Sequence, residues 1–495
     1  MGYNIIKEKF LEAKLKNGKT ELLTLLDVIQ RAHEVKDINI DSYCFLDKYA
    51  MYKFLITLAE DVFRPAGVDD IVDICKAGTF NEGEVSRYFN ENANKFDLFS
   101  PDYPLLQERK EFFNNAKKAI TRIGYLSPVV RSGNNDVFYN PIGGDDRYAV
   151  TPTQALCLLL RNAMSHSVTG GASKTPLIGG VGDSCVYCLY KGTTLFETIV
   201  LNMTPVAETD IPMWRRNDYG IVYPFSLMNY EFYPTPKILL NMPEKDGLIH
   251  SCLLQIDKGH PIYKEKNLKA LNEVMCSDHP NLLVVASKKD GKFPLVTSKA
   301  GEPWMQLSTV LANRIDDTDI KTNRNYVIDA LDAEGLCPQA ISIEMYGVNI
   351  RHSPFLNIFY GTPELPVEIF TDSRIAHTTR EYLEYIRLVS ATLNEIAQDY
   401  TTTILSNSPN AKMSGEYREL KGGLLRFAQM YFFTEYVKHY KERDESEFKD
   451  AIKDVALKLF SETTPIHGNA IQHITYKNKL RRALEKIQKK QEEKG

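Results

Sequence analysis

No apolar run in these 495 residues approaches the roughly 18 that a membrane span requires. Ala155 to Leu160 is only a short core segment. The opening Met-Gly-Tyr-Asn-Ile-Ile-Lys-Glu-Lys has charges where a secretory signal needs an apolar stretch, and Ile6 stands where myristoylation needs Ser or Thr. Charge of one sign is lacking too. Sixty Lys and Arg face 64 Asp and Glu, a net charge of −4, and the pI is about 6.3. That balance excludes a polycation that coats nucleic acid through overall charge, while leaving room for local basic patches. The eight cysteines are scattered, apart from Cys185 and Cys188, as in a protein of a reducing compartment rather than a disulfide scaffold. The expectation is a soluble, cytoplasmic chain with no membrane partner.

Signatures of catalysis are missing as well. Gly170-Gly171-Ala172-Ser173-Lys174-Thr175 departs from a phosphate loop at Ser173 and at Val168, and Gly180-Val181-Gly182 lacks the third glycine of a dinucleotide fingerprint. No Gly-x-Ser-x-Gly elbow occurs, and none of the ten histidines forms a His-Glu-x-x-His pair. Cys185-Val186-Tyr187-Cys188 supplies two of the four ligands zinc needs, with no second pair in sight. Structural thiols are the first reading of this pair. Zinc completed by distant ligands and redox chemistry are the alternatives. No cofactor is expected.

What is present is ordinary globular material: 43% hydrophobic and 25% charged residues. The length calls for two to four domains with ample buried core. Tyr3 to Leu15 reads as short strands before an Asn17-Gly18 hairpin turn, and Leu22–His33 and Tyr49–Phe63 carry helical apolar spacing. From about 130 to 350 short β-rich runs alternate with Gly and Pro. Residues 107–131 hold six basic side chains (Arg109, Lys110, Lys117, Lys118, Arg122, Arg131) against Glu108 and Glu111. After about 370, Ile386, Val389, Leu393 and Ile396 begin a series of four amphipathic helices, the last with eight Lys or Arg against three Glu over 477–495. The expected class is α+β: a large mixed α/β domain over 1–369, then a four-helix bundle over 370–495.

Several segments form an ordered series: Tyr3 to Phe10, Phe96-Asp97-Leu98-Phe99-Ser100-Pro101-Asp102-Tyr103-Pro104-Leu105-Leu106-Gln107, Val137 to Asn140, Thr151 to Ala155, the glycine-rich stretch 170–182, Leu195 to Met203, Glu302-Pro303-Trp304, and Pro465-Ile466-His467 before the last helix. In that order they resemble the CasA family, the large subunit of the type I-E CRISPR surveillance complex Cascade. The resemblance covers nearly the whole chain. It implies a non-catalytic subunit that checks the protospacer-adjacent motif (PAM) in duplex DNA, starts strand separation and R-loop formation, and supports a helicase-nuclease effector. Base pairing with the crRNA reads the rest of the target. The implied partners are the other Cascade subunits, the crRNA 5′ handle and double-stranded target DNA.

The resemblance also implies site residues. Phe138, Tyr139 and Asn140 match a loop that anchors the subunit near the crRNA 5′ handle, where aromatics stack on an unpaired base and an amide reads its edge. Gly170 and Gly171 match a loop that brings backbone amides to the PAM minor groove. Lys266 aligns with a PAM-probing lysine through Lys264-Glu265-Lys266 and Asp278-His279-Pro280; Lys264 and Lys269 are the neighbouring alternatives. An ammonium suits minor-groove acceptors shared by both A·T orientations. Asn349, Arg351 and His352 fall at a wedge that enters the duplex beside the PAM, with Arg351 or His352 where relatives use glutamine. No second cysteine pair is present, so no zinc is expected. Two other classes compete: a thiol- or metal-dependent enzyme built on Cys185 and Cys188, and a pure protein scaffold.

Overall fold

The computed structural model describes residues 2–42, 44–114, 116–127, 148–165, 185–216, 222–233, 236–256, 264–287, 291–295, 302–311, 325–349, 356–404, 415–464 and 470–492. The chain divides into two compact units, Met1–Pro303 with Asp317–Val367, and Trp304–Asp316 with Glu368–Gly495. The first is mixed α/β and the second helical.

The first unit is organised around the helix Phe45–Phe63. Fifteen of its 19 residues are buried, including Asp47, Lys53, Glu60 and Asp61. A helix sunk on all sides has no polar face, so each of these charges needs a partner inside the protein. Beside it lies a four-stranded sheet whose central strand, Ala340–Asn349, pairs with Val186–Lys191 on one edge and with Leu356–Gly361 and Leu365–Pro366 on the other. Tyr49 of the helix stacks on Tyr187 of the sheet at 4.7 Å.

The amino terminus forms a three-stranded antiparallel sheet with Leu11–Leu15 between Thr20–Leu23 and Val35–Asn39. Gly18 (φ +83°) makes the hairpin turn the sequence predicts. The strand begins only at Leu11, because Asn4 holds residues 5–8 in a turn through its side chain to the Ile6 N–H and its carbonyl to Lys7 and Glu8. Residues 22–33, which read as one helix, divide instead: Leu22 and Leu23 finish a strand, and a Thr24–Asp27 capping box starts the helix Leu25–Gln30. A further sheet orders Ile120–Arg122, Ser251–Ile256 and Pro236–Leu240.

Among its described residues the helical unit contains four long helices, Ser373–Ile404, Gly415–Tyr431, Glu445–Thr463 and Ala470–Glu492. The first packs against the other three and against Leu307–Leu311. Its stripe Ile386, Val389, Leu393 and Ile396 is buried, as the periodicity predicts. Tyr382 stacks on Tyr436 at 4.6 Å, and Tyr436 lies in a π-helical turn, Phe432–Tyr436.

Candidate nucleic-acid interface

Lys266 lies in the first turn of the helix Glu265–Asp278. Leu271, Met275 and Cys276 face the core. Lys266, Lys269 and Glu273, at i, i+3 and i+7, share the exposed side, with Lys264 exposed at the N-cap. Lys266 makes no salt bridge with a described residue. The helix therefore offers two lysines, Lys266 and Lys269, on one outward face.

The opposite end of this helix is anchored in the core. His279, its C-cap, is 2% exposed. Its Nδ1 accepts the Asn281 N–H at 3.2 Å, which puts the proton on Nε2, 3.1 Å from Glu231 Oε1. Glu231 also lies 3.3 Å from Lys53 Nζ of the central helix and accepts from Thr57 Oγ1 at 3.0 Å. Burial alone would raise the Glu231 carboxyl, but Lys53, His279 and Thr57 outweigh it and hold it below the usual range. Burial lowers His279 and keeps it neutral despite Glu231. Glu60, in the same interior, is pushed up by burial to about 7, with Lys53 opposing, while its Oε1 accepts the Thr204 N–H at 2.6 Å. Near neutrality Glu231 is thus the fully ionised carboxylate of the cluster, with Lys53 Nζ beside it. Asn281 ties the same end of the helix to the sheet, donating from Nδ2 to the Cys188 carbonyl at 2.9 Å and accepting the Cys188 N–H at 2.7 Å.

The wedge candidates fall at a hairpin. Asn349 ends the strand Ala340–Asn349, and its register partner is Leu356. Arg351 and His352 belong to the intervening 350–355 and lie outside the described residues, as do Phe138, Tyr139 and Asn140 (in 128–147) and Gly170 and Gly171 (in 166–184). The helix Pro152–Ser165 stands between those last two segments. Thr151 and Gln154 cap its start reciprocally: the Thr151 N–H donates to Gln154 Oε1 at 2.9 Å and the Gln154 N–H to Thr151 Oγ1 at 3.2 Å, with Pro152 at the first helical position. Near its end Arg161 meets Asp47 of the central helix at 2.8 Å, both at most 2% exposed, and Arg161 and Asn162 both donate to the Leu126 carbonyl.

Cys188 lies within the strand Val186–Lys191 and Cys185 immediately before it, both buried. Three residues apart on an extended chain, the two side chains point to opposite faces, the wrong arrangement for a two-thiol chelate or a redox pair. Burial pushes the Cys188 thiol far above its ordinary value. Among the described residues no group of three or more His, Cys, Asp or Glu is placed to hold a metal, and no helix is long and apolar enough to cross a membrane.

The buried cluster went unseen in the sequence, where Lys53, Glu60 and Glu231 look like surface charges. Asp278-His279-Pro280 was visible, but only as a marker for aligning Lys266. The Phe96–Gln107 motif proves structural where it is described: Asp97 Oδ1 accepts the N–H groups of Tyr3 and Phe99, each at 2.9 Å, and Gln107 joins the Leu98 carbonyl to the Leu240 N–H at 2.8 and 2.7 Å.

Residues 4–490 match the family described as CRISPR-associated protein Cse1. The chain belongs to the Cse1 family. It is thus a CasA-type protein, of the family that forms the large subunit of type I-E Cascade. Among curated proteins, CRISPR-associated protein CasA/Cse1 of Thermus thermophilus is 26% identical over 219 residues, 43% of this chain and 42% of that protein. The aligned stretch thus spans less than half the length of that relative. Among solved structures, Thermobifida fusca Cse1 covers 98% of both chains at 16% identity with a TM-score of 0.73. A chain of a structure described as a CRISPR RNA-guided surveillance complex gives a TM-score of 0.71 at 16% identity over 98% of this chain and 99% of its own. At such identities the likeness shows a common fold, and it extends across both units of this Cse1 chain.

Proposed function

We propose that this Cse1 chain is the DNA-recognition subunit of a CRISPR RNA-guided surveillance complex. In this reading it examines the PAM in duplex DNA, begins strand separation and R-loop formation, and supports a helicase-nuclease. The observation that carries the reading is the Lys266 helix: an exposed lysine pair on a helix whose far end is anchored to buried charge and to the central sheet. A probe that must discriminate base edges has to be held in place, and this one stands on a rigid base. Gly170 and Gly171 bring backbone to the same groove. Asn349, the last paired residue of its strand, forms with Arg351 and His352 the wedge that separates the first bases. Phe138, Tyr139 and Asn140 seat the subunit on the crRNA 5′ handle. The domains divide near 370, and the four long helices act as a four-helix bundle on which neighbouring subunits and the effector assemble in the cytoplasm. The side-chain directions of Cys185 and Cys188 speak against the thiol-enzyme alternative.

The test is reconstitution. A surveillance complex lacking this chain should bind PAM and non-PAM duplexes alike and weakly, and adding the purified chain should restore a preference for the PAM duplex. Restoration of assembly without any preference would favour the scaffold reading instead.

A further inference from the structure

The basic side chains of the segment 107–131 have no part in the site above, yet the fold gathers several of them beside one sheet. Ile120–Arg122 is the edge strand beside Ser251–Ile256, which in turn pairs with Pro236–Leu240. Ile120 is opposite Leu253, and Leu253 opposite Leu239, so these three share a face. Arg122 and Lys237, each two residues from a member of that row, lie on the same face. The chain before the strand crosses this face: Lys237 Nζ donates to the Phe112 carbonyl at 3.2 Å, and the Asn114 N–H donates to Gln255 Oε1 at 3.0 Å. Phe113, Ala119 and Leu253 form the buried cluster beneath, with Leu239 packed against it. On top, Phe112 is 43% exposed and Ile120 57%. The Arg109 guanidinium lies 4.7 Å from the Phe112 ring centroid. Lys110, Lys118 and Arg122 are exposed. Two acids flank Arg109: Glu108, which accepts the Arg109 N–H, and Glu111, 3.3 Å from Arg109 Nη1.

We propose that Arg109, Lys110, Phe112, Lys118, Arg122 and Lys237 form a second nucleic-acid contact, for the backbone and one unpaired base of single-stranded RNA. Cations along an extended strip neutralise successive phosphates. An exposed aromatic ring backed by a guanidinium is a stacking platform, and a duplex, whose base faces are covered, has nothing to place on it. RNA is favoured over single-stranded DNA because the strip runs in sequence directly into 128–147, which carries the proposed crRNA anchor. The choice of RNA rests on that proposed anchor, whereas the single-stranded contact itself does not depend on Lys266.

The experiment measures binding of the full-length chain to a short labelled single-stranded RNA, to the same sequence as DNA, and to a duplex, across a salt series. The wild-type chain should bind the RNA at about 50 mM salt with a negative log–log slope. Lys110→Gln with Arg122→Gln should flatten that slope by about 1.4, roughly 0.7 for each phosphate that is no longer neutralised. Phe112→Ala should weaken RNA binding roughly tenfold and leave duplex binding unchanged. All three side chains are exposed, and unchanged melting of the variants confirms the fold. No RNA binding by the wild-type chain, unchanged RNA slopes in the variants, or a loss confined to duplex would overturn the proposal. Equal losses for RNA and single-stranded DNA would overturn the choice of RNA.

Discussion

Glu60 is a carboxylic acid held in the core beside Lys53, and its titration sets a pH signature for the fold. In the unfolded chain its proton leaves near 4.5, whereas in the native protein it stays until about 7. A raised acid favours the native state when protonated, so this contribution is complete below about pH 4.5 and is lost as pH rises towards 7. The span corresponds to about 3 kcal/mol. His279 works in the opposite sense: its native value is below the ordinary 6.5, so its contribution is present above that pH and declines on acidification. Glu60→Gln keeps an acceptor for Thr204 and removes the first term alone. Its melting temperature should exceed that of the wild type at pH 8 and match it more closely at pH 5. Equal melting at both pH values would mean that the fold does not raise the Glu60 carboxyl. A second residue-scale prediction concerns the crRNA anchor. Alanine at Phe138 and Tyr139 should weaken docking onto the crRNA-loaded complex by about 1–3 kcal/mol for each stacking interaction removed. Undiminished co-purification at high dilution would remove both from the RNA contact.

Among elements, the helix Pro152–Ser165 has the most to position, since the segment with the proposed crRNA anchor precedes it and the one with the proposed PAM loop follows. Its Arg161–Asp47 pair is buried, so removing one partner leaves a charge stranded. Arg161→Met alone should cost about 3–5 kcal/mol, and adding Asp47→Asn should recover part of it. Strict additivity in denaturant titrations would show the pair to be uncoupled. The signals that start this helix are local, at Thr151, Pro152 and Gln154, but reading 130–350 as short β-rich runs passed over them. The central helix was legible as a helix but not as a buried one. Its charges at Asp47, Lys53, Glu60 and Asp61 imitate a solvent face, and their partners, Arg161, Glu231, Thr204 and Arg215, come from as many as 178 positions away. Local pattern also misjudged residues 22–33, where pairing to Leu11–Leu15 converts an apolar helical run into strand, turn and helix. The Lys266 helix shows the same limit. Its sequence gives the exposed face, while His279, which holds it, acts through residues remote in the chain.

At the scale of the whole molecule, two compact units share one chain, and the connection is not a single crossing. Trp304 and Leu307–Leu311 belong to the helical unit, with Trp304, Leu307 and Leu311 at most 1% exposed and the Trp304 ring 6.0 Å from Phe432. The apolar stripes from Ile386 onward announce the helical unit, but nothing in the pattern near 304 announces this excursion. A chain ending at Val367 should therefore fold but aggregate through those side chains, and Trp304→Gln with Leu307→Gln and Leu311→Gln should restore its solubility. Insolubility of the repaired truncation, with the full chain well behaved, would make the two units obligate partners.

The central claim is that separate parts of this chain read the PAM and open the duplex. It is tested most directly by strand opening in the assembled complex, with ordinary PAM duplexes and with duplexes already mismatched beside the PAM. Lys266→Ala should reduce discrimination between PAM and non-PAM duplexes on either target. Replacing Arg351 and His352 with Gly should spare initial PAM binding and slow opening, because a wedge offsets the few kcal/mol of unstacking only after the duplex is engaged. The mismatched target should rescue the wedge variant and leave the Lys266 variant undiscriminating. If the pre-opened target rescues neither variant, or if both open ordinary duplex at the wild-type rate, these residues are not the PAM-reading apparatus.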